Sequence, residues 1–469
     1  MQALPEGGEK GKARCVRLFD TEKREILPLE PVDGKTYRFY CCGPTVYGPA
    51  HIGNFRTFVL QDVLRRALEI GGLKTKHVRN ITDVDDKTIR DSVAAGQTLE
   101  EFTAKWRDQF NVDCQALNCL KPHIEPSAVK HIPEQITMIE ELIEKGNAYA
   151  SDDGSVYFKI SSYEGYGKLS RLDTRELALG KTQNERANSD EYDKDNAADF
   201  VLWKVRRDED GENYWESPWG QGRPGWHLEC SAMIRKYLGA TFDLHSGGGD
   251  LIFPHHDNEI AQSQCSCGGE FARHWFHITH LRVDGAKMSK SKGNLYTLTD
   301  LEAKGHSAME VRYVLLSGHY RKPINFTLDS LHAAKEALAK LARAAAGRDT
   351  PNYRESLKGD DYGVFSLALK KLNEDLNTAG ALGELFSHLK SARSEADWHG
   401  FFAVLAALGL TLPKVDATEV PAEIQELAKR RWEARQAKNW AVSDQLRGDL
   451  AAQGWVVKDG NDGYEVVPS

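Results

Sequence analysis

The stretch of sequence that decides the fold is CCGPTVYGPAHIGN, Cys41 to Asn54. The residues that lead into it, KTYRFYCC, alternate and are rich in aromatic side chains, which predicts a strand that ends at Gly43-Pro44. The residues that follow, NFRTFVLQDVLRRALEIGG, space apolar side chains three and four apart. This spacing predicts a helix with one buried face, closed by the Gly-Gly pair. TKHVRNIT then predicts a second strand, so the whole segment predicts a βαβ unit and a parallel sheet.

The rest of the 469-residue chain is too long for a single core. A polar segment, roughly Glu101 to Gly222, holds helical pieces and a charged run. We interpret this segment as an insertion, because strand patterns return in GATFDLHSGGG and WFHITHLRV. From about Ser330, LHAAKEALAKLARAAA and LALKKLNEDLNTAGALGELFSHLKSA keep the spacing of bundle helices. The tail from Pro421 predicts one basic helix, AKRRWEARQAKNWAVSDQLRGDL, and a short strand-like end.

Composition narrows the class of protein. With 41% hydrophobic and 28% charged residues the chain is globular, and no apolar run approaches the length of a membrane span. The N-terminal residues have no apolar segment typical of a signal peptide. The eight cysteines show no disulfide spacing, which predicts a reducing, cytoplasmic compartment. The net charge of -8 argues against non-specific coating of nucleic acid, and the absence of long heptads predicts a monomer.

The segment His51-Ile52-Gly53-Asn54 is expected at the start of a helix that follows a parallel strand. Backbone N–H groups and the helix dipole favour an anion there, and a histidine adds a donor for phosphate. The alternative is a histidine that caps its own helix.

A second motif, KMSKS, runs from Lys287 to Ser291 between Gly285 and Gly293. Two lysines three apart on a glycine-flanked loop can close on a polyphosphate. The alternative is a solvated surface loop.

A third group of residues suggests a metal. His255 and Glu259 in FPHHDNEIAQ stand four apart, on one face of a helix predicted to start at Pro254. This pair suits Zn²⁺ if thiolates complete the site, and Cys42 and Cys230 are candidates. The alternative is that the buried cysteines act only as small apolar side chains.

The order of these motifs resembles the class I aminoacyl-tRNA synthetases, and within them the cysteinyl-tRNA synthetase family. The resemblance is carried by YCCGPTVYGPAHIGNFRTF, VRNITDVDDK, RPGWHLECSAMI, GGGDLIFPHHDNEIAQS, KMSKSKGN and NEDLNTAGALGELF. It implies an α/β fold, with a Rossmann-type parallel-sheet catalytic domain that carries an insertion, then an α-helical bundle and a small C-terminal tRNA-binding domain. The expected boundaries are 1–130 and 222–275 for the two catalytic halves, 131–221 for the insertion, 276–330 for the KMSKS-bearing region, 331–420 for the bundle and 421–469 for the anticodon-recognition domain.

The resemblance also implies roles for single residues. One Zn²⁺ per chain would be held by Cys42, Cys230, His255 and Glu259, with Cys41 on the opposite face of its strand. The residues around the substrate cysteine would be Gly43, Thr82, Trp226 and Asp250. ATP, with Mg²⁺, would meet His51, Asn54, Thr57, Leu281, Lys287, Ser289 and Lys290, of which His51, Asn54, Lys287 and Lys290 would act in catalysis. Asn54 stands where the family usually has histidine, so it keeps a hydrogen-bond donor without a positive charge.

The implied activity is ligation of L-cysteine to tRNA(Cys) through cysteinyl-adenylate. Two alternatives are a ligase that joins cysteine to an amino-sugar by the same adenylate chemistry, and a non-catalytic zinc or RNA-binding module. In the tail, basic and aromatic side chains together suit phosphates and unstacked bases, although a solvated basic helix with core tryptophans is an alternative. The expected tRNA-binding residues are Arg431, Trp432, Arg435, Lys438 and Trp440.

Overall fold

The structure is a computed structural model, and it forms two compact units. One consists of Met1–Leu338 and Asp349–Thr411, the other of Ala339–Arg348 and Leu412–Ser469. The residues that the structure describes are 15–172, 199–288, 294–359, 361–414, 420–460 and 463–468.

The predicted βαβ unit is present and follows two short strands. The elements are β1 (Arg17–Phe19), β2 (Ile26–Pro28), β3 (Thr36–Cys41), α1 (Ile52–Ile70) and β4 (Lys74–Arg79). Strands β3 and β4 pair in parallel, with Cys41 opposite Arg79. Strand β3 ends two residues earlier than predicted, so Cys42 and Gly43 lie just beyond its last residue.

Helix α1 is buried on nearly all sides, so the prediction of one buried face was wrong. Fifteen of its 19 residues are buried, polar ones among them. The reason is a set of charged partners: the carboxylate of Asp62 accepts hydrogen bonds from Arg66 at 2.8 Å and from Arg312 at 2.6 Å. Because the charges are paired, α1 can be enclosed by protein on both its apolar and its polar face.

The predicted insertion contains a sheet that the sequence patterns did not indicate. From the end of β4 onward, the elements are α2 (Asp86–Ala94), α3 (Leu99–Ala116), α4 (Ile132–Glu144), β5 (Ala148–Ala150), β6 (Val156–Phe158), β7 (Phe200–Val205) and β8 (Gly222–Pro224), and the strands among them form this sheet. The four strands pair antiparallel in the order β5-β6-β7-β8. Three of them have only three residues, too few for a recognisable alternation.

After the insertion the chain returns to the parallel sheet. The elements are α5 (Trp226–Leu238), β9 (Thr241–Gly248), α6 (Asp257–Cys267) and β10 (Phe271–Ile278). The sheet order is β10-β9-β3-β4, and every pair is parallel. Because the carboxyl ends of parallel strands share one edge, the loops after β3, β4 and β9 meet there. The α/β fold predicted from the sequence is therefore confirmed.

A smaller sheet follows the parallel sheet along the chain. The elements are β11 (Leu281–Val283), β12 (Ala286–Lys287), α7 (Leu298–Glu302), α8 (Ala308–Leu316) and β13 (Ile324–Phe326). Its strand order is β12-β11-β13.

Helices dominate the next part of the chain. They are α9 (Leu328–Ala344), α10 (Tyr353–Ser356), α11 (Ser366–Asn373), α12 (Thr378–His388) and α13 (Glu395–Leu408). The long helical pattern predicted for 367–392 is broken at Asp375 and Leu376, which have φ angles of 59° and 45°. Asp375 accepts hydrogen bonds from the Phe19 N–H at 2.9 Å and from the Tyr320 hydroxyl, so contacts distant in sequence hold this break.

The second unit contains two helices and a hairpin. These are α14 (Ala422–Gln436), α15 (Trp440–Ala452), β14 (Trp455–Asp459) and β15 (Tyr464–Pro468), and the strands pair antiparallel. The prediction of one long basic helix was wrong, because the chain turns at Lys438, where φ is 59°. The core of this unit is formed by Ile424, Ala428, Leu450 and Val457.

Within the described residues, no helix has both the length and the apolar character needed to cross a bilayer.

Candidate active site

The carboxyl edge of the parallel sheet gathers most of the predicted site residues. Cys42 follows β3, Thr82 follows β4 by three residues, and Asp250 follows β9 by two. Helix α1 starts at the same edge, with His51 as its N-cap. In open parallel sheets this edge is where ligands bind.

The predicted phosphate-binding pair caps its own helix. His51 Nδ1 accepts a hydrogen bond from the Asn54 N–H at 3.2 Å, and Asn54 Oδ1 accepts one from the His51 N–H at 3.1 Å. The capping alternative is thus observed, but it leaves Nε2 of the neutral imidazole as a donor. Burial lowers the pKa of His51, so the ring is uncharged at neutral pH.

The two signature motifs approach each other in the structure. A Cβ placed on Gly53 would lie only 3.0 Å from the Met288 sulfur, and the Ile52 N–H donates to the Tyr296 carbonyl at 2.9 Å. The segments on both sides of the KMSKS loop therefore contact the start of α1. Ser289 and Lys290 lie outside the described residues, as does the side chain of Lys287. The Leu281 side chain is buried in β11, and Thr57 Oγ1 would lie 4.0 Å from a Cβ on Gly248.

Of the residues predicted to surround cysteine, Gly43 directly follows Cys42, Thr82 pairs with the loop that follows Cys42, and Trp226 lies against His255. The Gly43 N–H donates to Asn80 Oδ1 at 2.8 Å, and the Thr82 N–H donates to the Pro44 carbonyl at 3.1 Å. Trp226 stacks on His255, with ring centroids 4.4 Å apart. Asp250 is exposed in the turn that follows β9.

A buried cluster of four possible metal ligands lies next to these residues. The ligand atoms of Cys42, His255, His256 and Glu259 are all within 4.8 Å of one another. His255 Nε2 is 2.8 Å from Glu259 Oε1, and Cys42 Sγ is 3.8 Å from the same oxygen. One sulfur, two imidazoles and one carboxylate form a donor set that fits Zn²⁺.

The cluster differs from the predicted ligand set at two residues, Cys230 and His256. Cys230, a predicted ligand, is buried beside the cluster, and its thiol interacts with Cys42 and His255. Burial raises the pKa of this thiol, but hydrogen bonding to Cys42 and His255 outweighs burial and brings the pKa to about 6. His256 was missed, although it is the second histidine of the Pro-His-His segment, and its Nε2 lies 3.4 Å from Cys42 Sγ.

Further buried histidines lie within hydrogen-bond distance of the side chains of this cluster. His245 Nε2 lies 2.7 Å from Glu259 Oε2, and His277 Nε2 lies 2.7 Å from His256 Nδ1. Although burial opposes it, the charges of His245 and His255 lower the pKa of Glu259 to about 2. Glu259 is therefore an anion throughout the physiological range, as a metal ligand requires. Such partners fix the orientation of ligating side chains.

Cys41 is not a member of the cluster that the described residues form. It is fully buried within β3, and burial raises the pKa of its thiol. Neighbouring strand residues point to opposite faces, which accounts for the different surroundings of the two cysteines.

Another residue that the sequence analysis missed is Glu229, next to Cys230 in α5. Only 1% of it is exposed, and its carboxyl group lies close to the Thr82 side chain, although neither oxygen has a hydrogen bond of good geometry among the described residues. Burial, followed by the charges of Cys230 and Asp83, raises its pKa well above the usual range. The one available signal was that Glu229 is the glutamate of the segment Trp226-His227-Leu228-Glu229-Cys230.

The tail places its predicted tRNA-binding residues in different environments. Arg431 is fully buried and forms an ion pair with Asp459, so it is not available to a phosphate and the prediction for it was wrong. Trp432 packs against Tyr464, with centroids 5.7 Å apart. Lys438 is exposed at the turn between α14 and α15. Arg435 lies 5.7 Å from the ring centroid of Trp440, which is 55% exposed.

Comparison with known proteins assigns the class first. A family model described as tRNA synthetases class I (C) catalytic domain matches residues 28–336. A second, described as cysteinyl-tRNA ligase anticodon binding domain, matches residues 417–466. Among solved structures, Mycobacterium tuberculosis methionyl-tRNA synthetase in complex with methionyl-adenylate has a TM-score of 0.53 at 16% identity, over 80% of this chain and 89% of that one. The catalytic unit therefore has the class I synthetase fold.

Curated relatives define the family within that class. A cysteine–tRNA ligase of Opitutus terrae is 55% identical, over 97% of this chain and 99% of the relative. Cysteine–tRNA ligases of Solibacter usitatus and Chlamydia muridarum are 43% and 42% identical, each over 96% of this chain and 98% of the relative. The chain belongs to the cysteine–tRNA ligase family.

Proposed function

We propose that this protein activates L-cysteine with ATP and transfers it to tRNA(Cys). The observation that carries the proposal is the position of the buried Cys-His-Glu cluster at the sheet edge where the two signature motifs meet. The cysteine carboxylate would attack the α-phosphorus of ATP, releasing pyrophosphate and forming cysteinyl-adenylate. A hydroxyl of the terminal tRNA ribose, the 2′-hydroxyl in this class, would then attack the carbonyl carbon, lose its proton and release AMP.

The metal of this site is proposed to be Zn²⁺, one ion per chain. Cys42, Cys230, His255 and Glu259 would hold it, and His256 is a further donor on the same side. When bound, Zn²⁺ favours a thiolate over a hydroxyl and so supports the choice of cysteine over serine. His245 and His277 would hold the ligand side chains in place.

The phosphate chemistry is assigned to the chain's own donors. His51 would donate from Nε2 to the phosphates, while Asn54, whose side chain accepts the cap bond, keeps the turn in shape. Thr57 and Leu281 are proposed to lie near the adenylate, with Mg²⁺ bound to ATP. Lys287 and Lys290 would neutralise the charge that develops on the leaving pyrophosphate, and the Ser289 hydroxyl would donate a hydrogen bond to it.

Two measurements on the purified protein test the proposal. Cysteine-dependent ATP–pyrophosphate exchange reports adenylate formation, and charging of tRNA(Cys) reports transfer. We expect both. An amino-sugar ligase would perform the exchange without charging tRNA, and a non-catalytic module would do neither.

Lys290→Ala is expected to lower pyrophosphate exchange by on the order of 10²–10³, because the variant lacks the positive charge that would stabilise the triphosphate in the transition state. The affinity for cysteine should stay unchanged, since the lysine would not contact the amino acid. Lys292→Ala, two residues further along the same loop, is the matched control and should keep most activity. A loss in Lys290→Ala that falls mainly on cysteine affinity would contradict the placement of this loop.

The second unit is proposed to bind the anticodon. Trp440→Ala should lower kcat/KM for tRNA by about 10–100-fold, the range expected for one stacked base, and leave pyrophosphate exchange unchanged. Trp440 is exposed at the start of α15 beside Arg435, as a stacking platform requires. Val442→Ala removes a neighbouring exposed apolar side chain and is the control. Equal charging by Trp440→Ala and the wild type would rule out this contact.

The protein is further proposed to act as a monomer in the cytoplasm. Its eight free cysteines support a reducing compartment. Its partners would be tRNA(Cys), ATP and L-cysteine.

A further inference from the structure

Glu229 stands out among the buried acids of the catalytic unit because no cation pairs with it among the described residues. Glu259 is bonded to His245 and His255, Asp62 to Arg66 and Arg312. Glu229, by contrast, is 1% exposed, is paired with no cation among the described residues, and contacts the Thr82 side chain without a hydrogen bond of good geometry. A buried carboxyl group without a cationic partner is costly to ionise, and a cationic ligand would supply that partner.

The surroundings of Glu229 belong to the substrate pocket. Its carboxyl group lies next to the Thr82 side chain and is acted on by the charges of Asp83 and Asp85, and Trp226 precedes it by nearly one turn of α5. The two neighbouring aspartates are already used. Asp83 accepts hydrogen bonds from the Ser127 hydroxyl and the Val129 N–H, and Asp85 caps α2.

We propose that Glu229 binds the α-ammonium group of the substrate cysteine. This assignment rests on the proposed function. An ammonium offers three N–H donors, and Glu229 has two acceptor oxygens without a cationic partner next to the cluster of possible metal ligands. The side chain of Thr82 already accepts from Asn80 at 3.0 Å, which leaves its hydroxyl hydrogen to orient the carboxylate.

The assignment divides recognition of cysteine among three parts of the site. The thiol of the substrate would bind at the cluster that contains Cys42 and His255. Its carboxylate would face the phosphates at His51, and its ammonium group would pair with Glu229. Glu229 would therefore select α-amino acids against thiol acids, and against cysteine derivatives whose amine is acylated.

The test compares L-cysteine with 3-mercaptopropionate, which has the same thiol and carboxylate but no ammonium. Equilibrium binding of both is measured by calorimetry on the metal-loaded wild type, Glu229→Gln and Glu229→Asp. We expect Glu229→Gln to lose on the order of 10² in affinity for cysteine and to bind 3-mercaptopropionate as the wild type does. Glu229→Asp keeps the charge and should recover part of the loss. Glu310→Gln, a buried acid bonded to His306 and Ser307, is the control that should change neither affinity.

If Glu229 had a merely structural role, Glu229→Gln would lower the affinities for both ligands equally. An equal loss of affinity for the two ligands, or no loss for either, would therefore overturn the assignment. If the glutamine variant does not fold, the wild type still decides, because equal affinity for the two ligands would also overturn it. Wild-type protein that binds neither ligand would overturn the proposed function and this assignment with it.

Discussion

Cys42→Ser is expected to release the metal and to lower cysteine-dependent pyrophosphate exchange by on the order of 10³ or more. Cys42 Sγ lies 3.4 Å from His256 Nε2 and 3.8 Å from Glu259 Oε1, within the cluster. A hydroxyl is a much poorer ligand for Zn²⁺ than a thiolate. A pocket without the metal would separate cysteine from serine by only about 10–200-fold. Metal analysis of the purified variant and exchange with cysteine and serine measure both effects.

Cys41→Ser is the matched control. Cys41 is buried in the preceding strand position and is not part of the described cluster, so metal content and exchange should both persist. Full metal content in Cys42→Ser, or loss of the metal in Cys41→Ser alone, would place the ligand on the other face of the strand.

The same measurements decide whether Cys230 or His256 is the fourth metal ligand. With Cys230 as the ligand, Cys230→Ser loses metal and His256→Ala keeps it. The reverse result would assign the role to His256, whose Nε2 faces Cys42. Either result tests the ligand set without relying on the rate of the loaded enzyme.

The sequence was sufficient for features that local pattern determines. The βαβ unit was predictable because β3, α1 and β4 each carry the period of their own element and follow one another closely along the chain. The proximity of His255 and Glu259 was predictable because they stand four apart, a spacing that brings their side chains together where the chain enters α6.

Other features depend on contacts between distant parts of the chain. The break at Asp375 is held by the hydrogen bond from Phe19, 356 residues away. Arg431 looked like a surface cation in a basic run, but its partner Asp459 lies in the following hairpin and buries it. Glu229 could not be recognised from sequence either, because its lack of a cationic partner among the described residues is visible only once the surrounding side chains are in place.

Gly43→Ala is expected to lower cysteine activation by about 10² or more, although it adds only one methyl group. A Cβ at Gly43 would lie 1.6 Å from the Asn80 carbonyl oxygen, which is backbone and cannot rotate away. The two strand ends would have to separate by more than about 1 Å, a displacement that is enough to misplace a reacting group. The hydrogen bond from the Gly43 N–H to Asn80 Oδ1 would be strained as well.

Gly48→Ala is the control for this substitution, because it lies in the same loop and a Cβ there meets nothing within 4 Å. Pyrophosphate exchange, metal content and thermal unfolding are measured for both variants. We expect Gly48→Ala to match the wild type, and Gly43→Ala to lose exchange together with roughly 1–3 kcal/mol of stability from overpacking. Since Cys42 precedes Gly43 directly, displacement of the strand end should also weaken metal binding. Wild-type exchange in Gly43→Ala would contradict the close approach of Gly43 to Asn80, on which the geometry of the pocket depends.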